Sequence, residues 1–356
     1  MEEIKEERNW GIETLRMLAM FMVLILHILR QDGVLTAGKQ YPVQYKTAWF
    51  LEIAAYCAVN CYALISGYVG IRRPYKYTSI IELWLRVLFY SILGTFVVYL
   101  INPGQVGRSE WIKALFPIMK SQYWFFTAYF AAFFFLPVSI MAAKQSTKKQ
   151  YTMLLLGLII VLSLLPTLFR TDAFQMRGGY CAVWLLVLYM IGGYIRIYGL
   201  FEDHDKLLWG VGYLIIITLT WLSKMLLERL GKNGNILVSY TSPTILLAAL
   251  MLLGLFKEVH FSTGVAKWLR YISPAVFSVY LIHANPLMWS NVFVKTIVRF
   301  TSYHPCILVL VVLLYALVFF VVCVLFDLIR NQLVKVLKIK KQLLTLEEKL
   351  IGNIWE

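Results

Sequence analysis

Residues 11–33 read GIETLRMLAMFMVLILHILRQDG, an apolar run long enough to cross a membrane as a single helix. The run nevertheless contains Glu13 and Arg16 near its start and His27 near its end. Ionisable groups are costly in lipid, so those found inside a span are functional candidates. The stretch predicts a helical membrane protein and marks its first helix as a place for chemistry.

The composition of the whole chain supports the same class of fold. Of its 356 residues, 60% are hydrophobic and 15% are charged, and the mean hydropathy is +0.71. Soluble domains contain about half apolar and about a quarter charged residues. We therefore expect an all-α polytopic membrane protein with about ten transmembrane helices in a single bundle. The predicted spans are 10–29, 47–68, 79–101, 123–141, 151–168, 180–195, 207–227, 239–256, 275–294 and 306–328.

Two regions are expected along the chain: a ten-span membrane domain at 1–329 and a basic amphipathic cytoplasmic tail at 330–356. The tail sequence LVKVLKIKKQLLTLEEKLIGNIW alternates basic and apolar residues, which is typical of a helix lying on the inner membrane surface. The first span is too long for the core of a signal peptide, and no small-residue cleavage site follows it. We expect it to stay uncleaved.

The net charge of +15 does not indicate a nucleic-acid partner, because lysine and arginine lie mostly in short loops between apolar runs. Membrane topology and lipid headgroups account for that placement. With a cytoplasmic N-terminus, the inner segments hold 19 lysine and arginine residues and the outer loops hold 12. This bias predicts a multi-pass protein of the cell (plasma or inner) membrane with both termini cytoplasmic.

The cysteines do not predict a metal site. Cys57 and Cys61 lie four residues apart on one helix face, but no histidine or further cysteine stands at ligand spacing beside them. They are interpreted as small buried residues. We expect no metal and no bound cofactor.

The ionisable residues of the first span share one helix face. Arg16 and His27 are eleven residues apart, close to three turns, which separates them by roughly 16 Å along the axis. Glu13 stands three residues before Arg16 and joins the same face. One alternative is purely structural: Glu13 and Arg16 would pair at the interface while His27 ends the helix. The shared face favours a functional role.

Several motifs together resemble the acyltransferase-3 family of integral membrane acyltransferases, which O-acylate surface glycans and other extracytoplasmic acceptors. The resemblance extends from Arg8 to about Leu328, and it rests on the order and spacing of its motifs. These motifs are LRMLAMFMVLILHI at 15–28, VNCYALISGYVGIRR at 59–73, QYWFFTAYFAAFFFLPV at 122–138, AVWLLVLYMIGGYIR at 182–196 and AVFSVYLIHANPL at 275–287.

The sequence departs from the family pattern in two ways. The family usually has Asp-Gly before its Leu-Arg, whereas this chain has Glu13 and Thr14, which keep a carboxylate but lose the flexible glycine. Some members also carry a fused extracytoplasmic hydrolase-like domain, which this sequence lacks. Transfer is therefore expected to depend on the membrane part alone or on a separate partner protein.

The resemblance implies an acyltransferase that moves an acyl group, commonly acetyl, from cytoplasmic acyl-CoA to a hydroxyl of a surface polysaccharide or lipid-linked glycan. His27 is then the catalytic candidate, either as a general base or as a directly acylated carrier, and Glu13 on the same helix face is a second catalytic candidate. Arg16 is expected to bind a phosphate or the pantetheine amide of acyl-CoA.

Further candidates for acyl-CoA or substrate binding have structural alternatives. Arg72 and Arg73 are explained about as well by positive-inside anchoring, whereas Arg86 lies inside a span. His283 is equally well interpreted as a packed or backbone-bonded histidine. Ser66, before a glycine, and Trp124 are candidates for the acyl path, with helix packing as the alternative for both.

Two other classes of function remain open from the sequence. A transporter or exporter of a small molecule or glycan precursor also has many spans, interrupted helices and buried charges. The chain shows no internal repeat, which disfavours that class. A membrane glycan polymerase or glycosyltransferase usually has a large extracytoplasmic loop, and no long loop separates these spans. The identity of the acceptor, the acyl group and the oligomeric state are not determined by the residues.

Overall fold

The computed structural model describes residues 8–199, 205–293 and 295–350, and within these ranges the regular elements are all helical. The α-helices are α1 (Trp10–Gln31), α2 (Val34–Ala37), α3 (Pro42–Tyr56), α4 (Ala58–Gly70), α5 (Tyr77–Ile101), α6 (Arg108–Leu115), α7 (Trp124–Phe133), α8 (Leu136–Gln145), α9 (Lys148–Ile159), α10 (Leu165–Phe169), α11 (Ala182–Tyr198), α12 (Lys206–Arg229), α13 (Pro243–Lys257), α14 (Thr263–Ile272), α15 (Phe277–His283), α16 (Pro286–Asn291), α17 (Pro305–Val336) and α18 (Ile339–Leu350). A π-helical turn at Ile160–Leu164 joins α9 to α10.

Helix α1 lies at the centre of the bundle, where it contacts α3, α4, α13, α15 and α17. It begins where the side chain of Asn9 accepts a hydrogen bond from the Ile12 amide at 3.0 Å. It ends just before Gly33, whose φ of 87° is a left-handed conformation that favours glycine. Because α1 is surrounded by other helices, its polar residues face protein instead of lipid.

The all-helical membrane class is confirmed, but the expected count of about ten spans is not. Six helical segments among the described residues are long and apolar enough to cross a membrane, when α3–α4 and α9–α10 are each counted as one segment. A seventh is obtained if the bent pair α7–α8 is one span. Two further predicted spans form apolar helices that are shorter, Ala182–Tyr198 and Pro243–Lys257. The predicted span at 275–294 is divided into the short helices α15 and α16.

Proline explains the breaks in these segments. Pro137 stands in the first turn of α8, where α7 and α8 meet at an angle of 51°. Pro286 begins α16, and its missing N–H prevents α15 from continuing through it. Asn285 caps the new helix by accepting hydrogen bonds from the amides of Leu287 and Met288 at 3.0 and 3.2 Å.

Helices α4 and α11 pack closely enough to require glycine at two positions. A Cβ atom added to Gly67 would lie 1.9 Å from the Tyr189 carbonyl oxygen, and one added to Gly192 would lie 2.1 Å from the Leu64 carbonyl oxygen. Small residues allow two helix backbones to approach in this way. The contact fixes α4, which carries Tyr62 and Ser66, against the rest of the bundle.

The predicted boundary near residue 329 falls inside a continuous helix, because α17 extends to Val336. Helix α18 then contacts the beginning of α5, where the carboxylate of Glu347 accepts hydrogen bonds from the amides of Tyr77 and Thr78 at 2.6 and 3.0 Å. Residues 1–7 of the predicted membrane domain and 351–356 of the predicted tail lie outside the described residues.

Candidate active site

The polar face of α1 borders a narrow cavity inside the bundle. The cavity has a volume of about 30 Å³, and its wall is mostly apolar and aromatic. The lining residues are Met20, Val23, Leu26 and His27 of α1, together with Val59, Tyr62, Trp124, Phe125, Tyr240 and Tyr280. The spacing of Met20, Val23 and His27 continues the face that carries Arg16, so the expected stripe faces one internal space.

At one end of this stripe the structure brings His27 and His283 together. Their ring centroids are 4.7 Å apart with an interplanar angle of 65°, and His283 is fully buried. Trp289 contacts both rings, with centroid distances of 6.3 and 6.4 Å. In the described part of the chain, Nδ1 of His27 and Nε2 of His283 are buried and have no hydrogen-bond partner.

The tautomer of His283 follows from its backbone contact. Its Nδ1 lies 2.5 Å from the carbonyl oxygen of Val279. A carbonyl only accepts hydrogen bonds, so Nδ1 carries the proton and Nε2 has a free lone pair. The histidine is thus bonded to the backbone, as the structural alternative expected, and it also presents an unused basic nitrogen beside His27.

A buried polar network holds His283 in this position. The Tyr123 hydroxyl donates to the Leu281 carbonyl oxygen at 3.0 Å, at the end of α15 where the proline break removes helical donors. The Asn285 side-chain amide donates to the Tyr123 hydroxyl at 3.2 Å. The polar groups at the helix break are therefore hydrogen-bonded, and α15 ends at His283.

At the other end of the stripe, Arg16 is held by a carboxylate. The Arg16 guanidinium donates to both oxygens of Glu13 at 3.0 and 2.9 Å. Arg8 makes a second ion pair with Glu13 at 3.0 Å and donates to the Ser273 hydroxyl at 2.9 Å. Glu13 is buried and lies fourteen residues, or roughly 21 Å, before His27 on the helix, so the structure places it with Arg16.

Arg86 lies near the same end of the stripe. Its guanidinium donates to the Pro274 carbonyl oxygen at 2.8 Å. Both Arg16 and Arg86 interact electrostatically with Tyr62, whose buried hydroxyl has no hydrogen-bond partner in the described ranges. Tyr62 lines the cavity, whereas neither arginine does, so the two cations lie beyond the Tyr62 side of the cavity lining.

Ser66 and Trp124 lie near different ends of the polar face of α1. The Ser66 hydroxyl donates to the Tyr62 carbonyl oxygen at 3.0 Å and interacts with Tyr129, which also interacts with Arg16. Trp124 lines the cavity on the side of His27 and stacks on Tyr240 with a centroid distance of 5.9 Å. Ser66 is therefore placed near the arginine end and Trp124 near the histidine end.

Arg72 and Arg73 are not among the residues that line the cavity. Both side chains are exposed just after α4, and Arg72 lies 3.4 Å from the Arg196 carbonyl oxygen at the end of α11. None of the four arginines predicted to bind acyl-CoA lines the cavity: Arg16 and Arg86 interact with its lining residue Tyr62, and the other two lie on the protein surface.

The sequence analysis missed several residues at the histidine end. Arg30 pairs with the fully buried carboxylate of Glu52, and Arg30 interacts electrostatically with His27. Glu52 lies inside the predicted span 47–68, so an ionisable residue within an apolar run was the available signal. Tyr123 and Trp289 had no such signal, because aromatic residues are common throughout these spans.

This geometry places two chemically different groups along one helix face, with Arg16 before the cavity and His27 in its wall. A guanidinium group suits an anionic group such as a phosphate. A free imidazole nitrogen in a water-poor cavity suits proton transfer to or from a reacting hydroxyl. The arrangement fits a reaction in which one part of a substrate is bound at a distance from the group that reacts.

Comparison with protein families matches residues 9–328 to the acyltransferase-3 family, described as an acyltransferase domain. The match covers nearly all of the stretch for which the motifs predicted it. Comparison with curated proteins and with solved structures gave no match.

Proposed function

The chain belongs to the acyltransferase-3 family and is a membrane acyltransferase, and we propose that it transfers an acyl group, in the first instance acetyl, from cytoplasmic acyl-CoA to a hydroxyl of an extracytoplasmic surface glycan. The main support is the packed pair of His27 and His283 with unpartnered nitrogens, beside a cavity whose lining residue Tyr62 interacts with Arg16 and Arg86.

In the proposed reaction the nucleotide part of acyl-CoA stays at the arginine end. Arg16 and Arg86 contact its phosphates or the pantetheine amides, and Glu13 fixes the Arg16 guanidinium before the substrate arrives. The pantetheine arm extends along the cavity past Tyr62 and presents the thioester to His27. Apolar walls exclude water, which limits hydrolysis of the thioester.

The transfer step needs one general base, and His27 is proposed for that role. The acceptor hydroxyl loses its proton to His27 as its oxygen forms a bond to the thioester carbonyl carbon. The carbon–sulfur bond then breaks, and the proton passes from His27 to the leaving sulfur, which gives free CoA thiol. His283 holds the His27 ring by direct contact, and its Nε2 lone pair favours the protonated ring while the charge is present.

The direction of transfer follows from the proposed topology. With cytoplasmic termini, the Arg16 end of α1 faces the cytoplasm, where acyl-CoA is found, and the His27 end faces the opposite side. An outward-acting enzyme of the cell membrane then needs to move only the acyl group past the bilayer centre.

Vesicle orientation tests both the reaction and its direction. Inverted vesicles supplied with [¹⁴C]acetyl-CoA should incorporate label into a lumenal glycan fraction, whereas sealed right-side-out vesicles should not, because the donor cannot cross the membrane. His27→Gln should abolish incorporation. His260→Gln is the matched control, since His260 lies in an exposed loop after α13. Equal labelling from both vesicle types, or full activity of His27→Gln, would contradict the proposal.

A further inference from the structure

A second polar cluster stands next to the histidine end of the cavity, and the acyl-transfer step described above does not use it. It consists of one ion pair and three tyrosines from four separate segments. We call it the mouth cluster, and its members are Arg30, Glu52, Tyr56, Tyr180 and Tyr240.

The mouth cluster has a buried inner side and an exposed outer side. Glu52 is fully buried, whereas the Arg30 side chain is 46% exposed. Tyr240 is 5% exposed and Tyr180 is 42% exposed. The cluster therefore leads from the protein surface towards the interior, as an entrance does.

The inner side contains a polar atom that has no partner. One oxygen of the Glu52 carboxylate accepts a hydrogen bond from Arg30, and the other is buried without a hydrogen-bond partner in the described ranges. An unsatisfied buried carboxylate oxygen is costly, so such atoms need an explanation. A ligand hydroxyl that donates to this oxygen would supply the missing hydrogen bond.

The cluster is continuous with the reaction cavity. Tyr240 belongs to both, since it lines the cavity beside His27 and interacts with Tyr180 and Glu52. Trp124 adds to the shared wall, with its ring 4.4 Å from the Tyr180 ring. Arg30 stands one turn after His27 on α1. A molecule held by the cluster would present its neighbouring groups to His27.

The charges at this entrance are matched in pairs. Arg30 is neutralised by Glu52. The next cation, Lys224, donates to Glu228 at 2.6 Å and to the side chain of Asn235 at 2.8 Å. A charged group entering between these pairs would lose water without gaining a free counter-charge. The balance disfavours an ionic ligand and favours a neutral one.

We infer that the mouth cluster is the acceptor subsite and that it is built for an uncharged sugar ring, an inference that rests on the proposed function. The exposed ring of Tyr180 offers an apolar face for the C–H face of a pyranose, and the Trp124 ring lies beside it at an angle of 49°. Glu52 accepts a hydrogen bond from one ring hydroxyl, and Arg30 donates to another. An adjacent hydroxyl then lies on the side of His27.

Competition between sugars tests the inference in inverted vesicles that contain the full-length protein. Methyl β-D-glucopyranoside, enclosed in the lumen when the vesicles form, should reduce incorporation of [¹⁴C]acetyl into the glycan fraction, and its anionic counterpart methyl β-D-glucuronide, enclosed in the same way, should do so much less. Glu52→Gln removes the carboxylate charge but keeps its shape, and it should raise the half-inhibiting concentration of the neutral glycoside about tenfold. Tyr180→Ala, an exposed change that does not disturb the core, should have a similar effect.

Tyr303→Ala is the matched control, because Tyr303 is an exposed tyrosine at the same end of the bundle, where its carbonyl oxygen accepts from Gln44. It should leave the half-inhibiting concentration unchanged. The apparent KM for acetyl-CoA should stay at its wild-type value in both Glu52→Gln and Tyr180→Ala. Stronger inhibition by the glucuronide, or unchanged inhibition in both variants, would overturn the inference while His27-dependent labelling still supports the acyl transfer. Loss of labelling in the wild type would instead contradict the proposed function.

Discussion

The two ends of the polar face of α1 differ in how their groups are satisfied. At the beginning of the helix, Glu13 is paired with Arg16 and Arg8, and each pair is close to 3 Å. Towards its end, His27 and His283 are packed ring against ring and leave two buried nitrogens without partners. Groups that are ion-paired in the absence of substrate keep fixed positions, as a binding site requires. Groups that are left unpaired are available for reaction, so we expect the two ends to contribute differently to catalysis.

The largest expected effect is at the histidine end. His27→Gln should lower the rate of acetyl transfer by about 100- to 10,000-fold, because the general base is lost. The apparent KM for acetyl-CoA should change little, since the arginine end is intact. The measurement is initial rate against acetyl-CoA concentration in inverted vesicles, with His260→Gln as the control. A variant that keeps its rate but loses affinity for acetyl-CoA would reverse the assignment of the two ends.

The next effect tests whether His283 acts through His27. His283→Gln should lower the rate by up to about 100-fold, because a small displacement of a catalytic group is costly. Its loss should be smaller than that of His27→Gln, since His283 does not line the cavity. The double variant should be no worse than His27→Gln alone if both act on one step. If the fold-decrease in rate of the double variant equals the product of the two single fold-decreases, then the two histidines act independently.

At the arginine end, substitutions should change the affinity for acetyl-CoA. Arg16→Ala should raise the apparent KM for acetyl-CoA about tenfold, the usual cost of one charge-assisted hydrogen bond. Arg16→Lys should raise it less, because the charge stays while the planar fork is lost. Titration of acetyl-CoA at a fixed amount of membrane glycan measures both values. A large decrease in the rate at saturating acetyl-CoA with an unchanged KM would instead assign Arg16 to the reacting groups.

The smallest effect is expected at the exposed arginines. Arg72→Ala and Arg73→Ala should each raise the KM for acetyl-CoA by at most about fivefold, because exposed ionic contacts contribute little. Their exposure just after α4 separates them from the stripe, although their sequence motif made them candidates. An increase larger than that of Arg16→Ala would place the nucleotide part of the donor along this surface.

The part of the site that lies on one helix could be predicted from the sequence. Residues on a single helix have fixed spacing, so the common face of Arg16 and His27 follows from 3.6 residues per turn. The cavity that borders this face in the structure includes Met20, Val23 and His27. The contact between His27 and His283 could not be predicted in this way, because it joins residues 256 positions apart and depends on how α1 and α15 pack.

The number of spans was predicted less well than the fold class, for a related reason. Hydropathy measures apolar composition, and the segments at 180–195, 239–256 and 275–294 are apolar enough. It does not measure whether a helix continues. In the last of these segments, Asn285 provides a cap and Pro286 removes a donor, so the apolar run contains two short helices.

The contact of Glu347 with the beginning of α5 has a consequence for synthesis at the ribosome. The amides that it binds belong to Tyr77 and Thr78, which are made 270 and 269 residues earlier. When α5 first enters the membrane, these helix-end donors must therefore be hydrated or bound by lipid headgroups. Their protein partner arrives only after α17 has been inserted. The beginning of α5 therefore reaches its final hydrogen bonding late in biogenesis, after the residues of α18 have been synthesised.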